Sequence, residues 1–229
     1  MNETHLQMCS SVEWAETVER WIIPWVLESV ELGDDVIEVG PGPGLTTNVL
    51  RENVRRLTAV EIHDELATAL AHKFAGTNVD VIHGDATRTS LADDRFSAAV
   101  CLTMLHHLPS AQQQDALFVE LCRVLQPGGV LVGQDSIASE ELRALHVGDT
   151  YVPIDPAHLP GRLEAAGFVD VAVDTNEYAV RFQATKPTAA DVPREGDYWS
   201  ASTATIRSPS LTNCCASTPT RSAHSSTTC

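Results

Sequence analysis

The chain is predicted to be an α/β protein built on a doubly wound parallel sheet. Three observations carry that expectation. Short apolar runs recur near residues 35–39, 57–61, 79–83, 96–101 and 129–134. Helical stretches near 44–52, 64–75 and 111–125 lie between them. Strands that alternate with helices run parallel and carry helices on both faces. The third observation is the turn Gly40-Pro41-Gly42-Pro43-Gly44, which joins the first strand to the first of those helices. A glycine-rich strand–turn–helix junction is where such sheets hold nucleotides.

The elements follow in order. Ser10-Ser11-Val12-Glu13 opens a helix with a capping box. Trp14, Val18, Trp21, Ile22 and Trp25 then recur at helical spacing until Pro24 kinks or stops the run. Such a stripe more often packs against a sheet than lines a ligand site. Residues 1–30 are therefore read as a helical cap on a single domain that ends at 187. Asp35-Val36-Ile37-Glu38-Val39 is the first strand. Leu57 to Glu61 is the second and Val79 to His83 the third, each leading to an acid, Glu61 and Asp85. Phe96 to Cys101 is the fourth and leads into Leu102-Thr103-Met104-Leu105-His106-His107. The helix from Ala111 runs into Gln126-Pro127-Gly128-Gly129 and the fifth strand. A helix over 155–166 and two strand-like runs, 168–174 and 178–184, close the domain. Residues 136–154 show no clean period, and an insert after the fifth strand lies where such sheets bind ligands, so it is read as a substrate lid.

The turn's chemistry narrows the ligand. A dinucleotide fingerprint starting at Gly40 needs a glycine where Leu45 stands. Pro41 and Pro43 have no N–H to offer a pyrophosphate, and Glu38 repels one. A ligand with an adenosine end, a positive centre and no phosphate fits better, and S-adenosylmethionine is such a ligand. Glu61, 17 residues past Gly44, stands where a Rossmann-like unit places an acid to accept both ribose hydroxyls.

Glu38-x-Gly40-x-Gly42-x-Gly44, the acids after the second and third strands, and the Leu125-Gln126-Pro127-Gly128-Gly129 passage together resemble the motifs of class I S-adenosylmethionine-dependent methyltransferases, across about residues 30–187. Small bacterial members of the methyltransferase-11/25 type look most alike. The resemblance implies a seven-stranded, Rossmann-like, mostly parallel sheet with an antiparallel last strand. It implies a cofactor site of Glu38, Gly40, Gly42, Gly44, Glu61, Ile62, Asp85, Ala86 and Leu102, with Asp85 and Ala86 at the adenine edge. It places His107 and His106 at the edge of the cleft where a base would stand, although a structural role for the pair is at least as well supported. Asp135 and Tyr151 are weaker cleft candidates. The expected reaction is methyl transfer to a small, partly apolar metabolite; the alternative is a non-catalytic cofactor-binding module of the same fold.

Charge bears on partners. The net charge is −16, with only two lysines, Lys73 and Lys186. Nucleic-acid binding normally takes clustered basic residues, so no nucleic acid is expected. The Glu38–Gly42 turn also resembles that of rRNA adenine dimethyltransferases, but base N-methylators carry an Asn/Asp-Pro-Pro-Tyr-like motif where this chain has Cys101-Leu102-Thr103-Met104. No apolar run approaches a membrane span and no signal peptide is visible, which points to a cytoplasmic protein without stable membrane insertion. Cys9, Cys101 and Cys122 lack metal-type spacing, and the histidines between His63 and His158 other than the adjacent pair are too scattered to read as a ligand set, so no metal is expected. Oligomeric state is left open. Residues 188–229 hold 16 Ser or Thr in 42 and only Val192, Ile206 and Leu211 among the large aliphatics and Phe, so they are read as a disordered tail.

Overall fold

The computed structural model describes residues 2–191. The chain opens with two short helices, α1 (Glu3–Cys9) and α2 (Val12–Thr17). Asn2 caps α1 by accepting the His5 N–H at 2.9 Å. Ser11 caps α2 by accepting the Trp14 N–H at 3.0 Å. That cap puts Glu13 at the second helical position rather than the third, so the capping box does not form. Pro24 does not stop the run. A wide π turn over Val18–Ile22, with the Ile23 N–H reaching the Val18 carbonyl, passes Pro24 into the first turn of α3 (Ile23–Val26). A missing N–H costs little in a first turn.

The alternating unit follows as expected: β1 (Asp35–Val39), α4 (Leu45–Leu50), β2 (Arg56–Glu61), α5 (Asp64–Lys73), β3 (Val79–His83), β4 (Phe96–Leu102), α6 (Ala111–Val124) and β5 (Leu125–Ser136). The insert then carries a helix of its own, α7 (Glu140–Leu145), which its lack of periodicity hid. The chain continues through α8 (Leu159–Ala165), β6 (Val169–Thr175) and β7 (Ala179–Thr185). The Asn176 side chain accepts the Tyr178 and Ala179 N–H groups at 2.8 and 2.9 Å and so makes the β6–β7 hairpin.

The seven strands lie in the order β3-β2-β1-β4-β5-β7-β6. β1 to β5 pair in parallel, and β7 runs antiparallel to both β5 and β6. This is the expected sheet, with β7 threaded in beside β5. β4 is central and buried along its length, while β3 and β6, at the edges, expose alternate residues. One face packs on α6 and α8 through Leu117, Phe118, Leu121 and Leu163. The other packs on the cap and α5 through Ile22, Val26, Leu70 and Phe74. Both faces being covered, the carboxyl end of the sheet is left as the place for a ligand. Of the predicted tail, Thr188 to Asp191 forms a turn in which Asp191 accepts from the Thr188 N–H at 2.7 Å; the rest of that segment lies outside the described residues.

Gly44 shows how tightly the loop is built in. It starts α4 at φ +76°, and a Cβ there would stand 2.4 Å from Leu70 Cδ2. Gly44→Ala therefore combines a left-handed backbone with overpacking, and it should cost about 2–4 kcal/mol. Urea unfolding checks this, and an unchanged midpoint would show that α4 and α5 move apart freely.

Candidate functional site

The turn after β1 spends all its donors inside the protein. The Gly40 N–H donates to the Val60 carbonyl at 2.9 Å and the Gly44 N–H to the Pro41 carbonyl at 2.9 Å. The Gly42 N–H donates to Glu61 Oε2 at 3.1 Å. With prolines between them, none of Gly40, Pro41, Gly42, Pro43 and Gly44 is left with an N–H for phosphate, as the sequence implied. The three glycines differ in role. A Cβ at Gly40 would meet Met104 Cβ at 2.9 Å, so its need is packing, like that of Gly44. At Gly42, φ +54°, nothing lies within 4 Å of the Cβ position. Gly42 alone faces open space.

Glu38 does not face the cleft. It is buried, and its carboxylate accepts from the hydroxyls of Thr46 and, at 2.6 Å, Thr47 in the first turn of α4. Burial, only partly offset by these bonds, raises its pKa to about 7. Its place is inside the β1–α4 junction, one layer behind the expected cofactor surface. Glu61 is buried too, with Oε1 accepting the His63 N–H at 2.9 Å. Ile62 beside it is 59% exposed, a bare apolar surface at the end of β2. Asp85 is exposed, one oxygen holding the Thr87 N–H and hydroxyl at 2.9 and 2.8 Å, and Ala86 is half-buried behind it. Leu102 closes β4 from within the core. Glu61, Ile62, Asp85, Ala86 and Gly42 thus follow the ends of β1, β2 and β3.

Two cavities meet at Trp14. One, of about 40 Å³, lies between the glycine turn and the cap and is walled by Gly42, Thr46, Thr103, Cys9 and Trp14. The other, of about 610 Å³, opens between the cap and the ends of β5 and β7 and is walled by Trp14, Trp21, Trp25, Gln134 and Tyr178. Thr103 and Gln134 join them through a 2.8 Å bond from the Thr103 N–H to the Gln134 carbonyl. Thr103 holds φ +50°, an uncommon conformation for a β-branched residue. The tryptophan stripe, expected to be core, divides. Val18 and Ile22 are buried, while Trp21 is 73% exposed at the cavity wall. Helical period marks which residues share a face, and the structure decides whether that face meets sheet or space.

His106 and His107 line neither cavity. They sit in a 3₁₀ turn after β4, packed with His5 of α1 and His146 after α7. His106 donates through Nδ1 to Asp135 Oδ1 at 2.6 Å, and Tyr151 stacks on His146 at 4.5 Å. Burial first, then neighbouring histidines, lowers the pKa of His107 to about 3 and that of His5 to about 4. The expectation that the remaining histidines are scattered is corrected: His5, His106, His107 and His146 present ring nitrogens that all lie within 4.8 Å of one another. Separation in sequence concealed them, because the cap and the insert bring two of the four. Burial also raises the Cys9 thiol to about 11, so it is no nucleophile at neutral pH.

Residues 37–133, from β1 into β5, match the methyltransferase domain family. Over 61 residues the chain is 48% identical to the ribosomal RNA small subunit methyltransferase A of Dehalococcoides mccartyi, covering 26% of this chain and 21% of that protein. The chain thus spans about a fifth of the length of that relative. Among solved structures it is similar to a SAM-dependent methyltransferase from Aquifex aeolicus, with a TM-score of 0.63, 18% identity, and coverage of 81% of this chain and 99% of that one. It is also similar to the N-methyltransferase NodS from Bradyrhizobium japonicum WM9 in complex with S-adenosyl-L-homocysteine, at a TM-score of 0.62, 16% identity, and coverage of 82% and 94%. The fold is shared with both. Among the described residues no helix is long and apolar enough to cross a membrane.

Glu38 generates a pH prediction. Its folded pKa of about 7 lies above the usual 4.5, so the folded protein holds this proton more tightly than the unfolded chain. Its contribution to stability is full below 4.5 and is lost as pH rises through 7. His5 and His107, depressed from 6.5, act the other way and lose their contribution as pH falls. The Glu38 effect is therefore read as the difference between wild type and Glu38→Gln. That difference should shift by about 3 kcal/mol in favour of the variant between pH 4.5 and 8. Parallel urea-midpoint profiles would overturn it.

Proposed function

We propose that this class I S-adenosylmethionine-dependent methyltransferase domain transfers the sulfonium methyl to a small, partly apolar acceptor held in the tryptophan-walled cavity. The observation that carries the reading is that cavity: its 610 Å³ is in the range of small-molecule sites, and it adjoins the glycine turn through Trp14 and Thr103. In the reaction a lone pair of the acceptor forms the new bond to carbon as the carbon–sulfur bond breaks, leaving a neutral thioether. The protein's part is to align the two and exclude water. The larger cavity is walled by no carboxylate, histidine or lysine among the described residues. An acceptor whose lone pair is already free at neutral pH, such as a carboxylate, an enolate or an unprotonated amine, suits such walls.

The cofactor's proposed contacts follow from the strand ends. The Glu61 carboxylate retains lone pairs beyond those its two N–H donors use and takes the ribose diol; Ile62 covers the adenine, and Asp85 and Ala86 meet its edge. Gly42 leaves room for the chain's amino acid end. The 40 Å³ between turn and cap is little more than the space of one water. Cofactor entry therefore displaces Cys9 and Trp14, and the cap acts as a lid.

Nucleic acid is the reading that the short alignment to an rRNA enzyme favours. The net charge of −16 and the Cys101-Leu102-Thr103-Met104 exit of β4 argue against it, and aromatic walls suit a small molecule. Incubation with methyl-labelled S-adenosylmethionine, separately with a cell's small-molecule extract and with its ribosomal RNA, decides between them. Label should appear in a small product, and less of it with Trp25→Ala. Label confined to RNA would overturn the acceptor, and label in neither pool would leave a protein that only holds its cofactor.

Calorimetry tests the cofactor half. Glu61→Ala should weaken S-adenosylmethionine by about 1–3 kcal/mol, because the ribose loses bonds to a charged acceptor. Unchanged affinity in a folded variant would remove Glu61 from the site.

A further inference from the structure

The histidine cluster is not used by the proposed reaction, and it is unusual for a protein interior. His5, His106 and His146 are 5%, 4% and 3% exposed. Their rings and that of His107 pack with centroids 4.3 to 6.2 Å apart. Five buried ring nitrogens there have no hydrogen-bond partner: His5 Nδ1, His106 Nε2, both of His107, and His146 Nε2. Each such atom costs about 1–3 kcal/mol when nothing meets it. The outer nitrogens of two rings are, by contrast, held in place. His106 Nδ1 donates to the buried Asp135 at 2.6 Å, and His146 Nδ1 donates to the Leu142 carbonyl at 2.6 Å. Both bonds fix the tautomer with the Nε2 lone pair free, which is how ligating histidines are oriented.

We propose that His5, His106, His107 and His146 bind one borderline divalent cation, zinc above all, which ties the N-terminal helix and the insert to the turn after β4. Four imidazoles in one place suit zinc, copper or nickel, whereas magnesium and calcium take oxygen ligands. Bonds of about 2.0–2.1 Å in a tetrahedron set nitrogens about 3.3 Å apart. The present limit of 4.8 Å closes to that by rotation of side chains already in ring contact. Four protein ligands fill a tetrahedral zinc, so the ion's role is to hold structure rather than to activate a bound water.

What it holds is the lid. Leu6 of α1 lines one cavity with His63 to Leu66 at the exit of β2, and Cys9 lines another with the glycine turn. His5 precedes both on the same helix, α1, and anchors that helix to the cluster. A cation there fixes α1 across the cofactor cleft.

The full chain, prepared without a histidine tag and stripped with chelator, is titrated with zinc chloride and with cobalt chloride. One equivalent should bind, cobalt should give the intense visible absorption of a tetrahedral site, and hydrogen exchange over residues 3–9 should slow on adding zinc. Asp135→Asn should weaken zinc by about 10–100-fold, and His5→Ala and His146→Ala by more, while His72→Ala on the exposed face of α5 leaves it unchanged. Absence of saturable one-to-one binding in the wild type, or equal affinity in a folded His5→Ala/His146→Ala double variant, would overturn the site. The wild-type stoichiometry and cobalt spectrum decide the matter even where a variant fails to fold.

Discussion

One hydrogen bond, from the Gly42 N–H to the Glu61 carboxylate, sets the geometry on which the rest of the site depends. It joins the exit of β1 to the exit of β2 and makes a single rim of two strand ends. It also consumes the last N–H of a turn whose other donors are bonded or replaced by proline. The turn keeps its shape without an anion to organise it. Glu38 beneath it, tied to Thr46 and Thr47, fixes the start of α4 from the inside. Two carboxylates thus hold the turn from two sides, and neither leaves a place for phosphate.

The parts of the molecule that the sequence disclosed are those in which a local pattern has one physical meaning. The apolar runs that became β1, β2 and β4 are largely buried on both faces, and these runs and the edge strand β3 fell within a residue or so of their expected bounds. The proline-interrupted turn stated its donor deficit directly. Glu61 was legible because a strand end has one direction and an acid there points to the rim. Gly40 and Gly44 looked like ligand glycines, yet Met104 and Leu70 explain them. A glycine required by a neighbouring side chain and one required by a ligand read alike in sequence.

The rest depended on contacts between distant segments. The histidine cluster needs α1, the turn after β4 and the residue after α7, so no spacing rule detects it. The larger cavity needs the β6–β7 hairpin to bring Tyr178 opposite Trp25. Helix α7 went unread because its six residues are too few to show a period. The tryptophan stripe was legible as a face. What that face met was decided by the π turn at Val18–Ile22, since one extra residue in a turn rotates every side chain that precedes it relative to those that follow.

The proposed cofactor rim and the proposed acceptor walls come from different stretches of chain. Gly42, Glu61, Ile62 and Asp85 lie in the first half of the sheet, on strands whose register the core fixes. Trp14, Trp25, Gln134 and Tyr178 come from the cap, the end of β5 and a hairpin at the sheet's other side. Trp14 is the residue of the second set that also walls the cavity at the glycine turn, so the two sets adjoin there. Local identity to an enzyme that methylates RNA therefore bears on the acceptor only so far as it includes these walls. The acidic charge and the aromatic surface act on the acceptor directly. In the proposed reading the chemistry of the walls outweighs a short alignment, since a molecule that enters this cavity is desolvated against them.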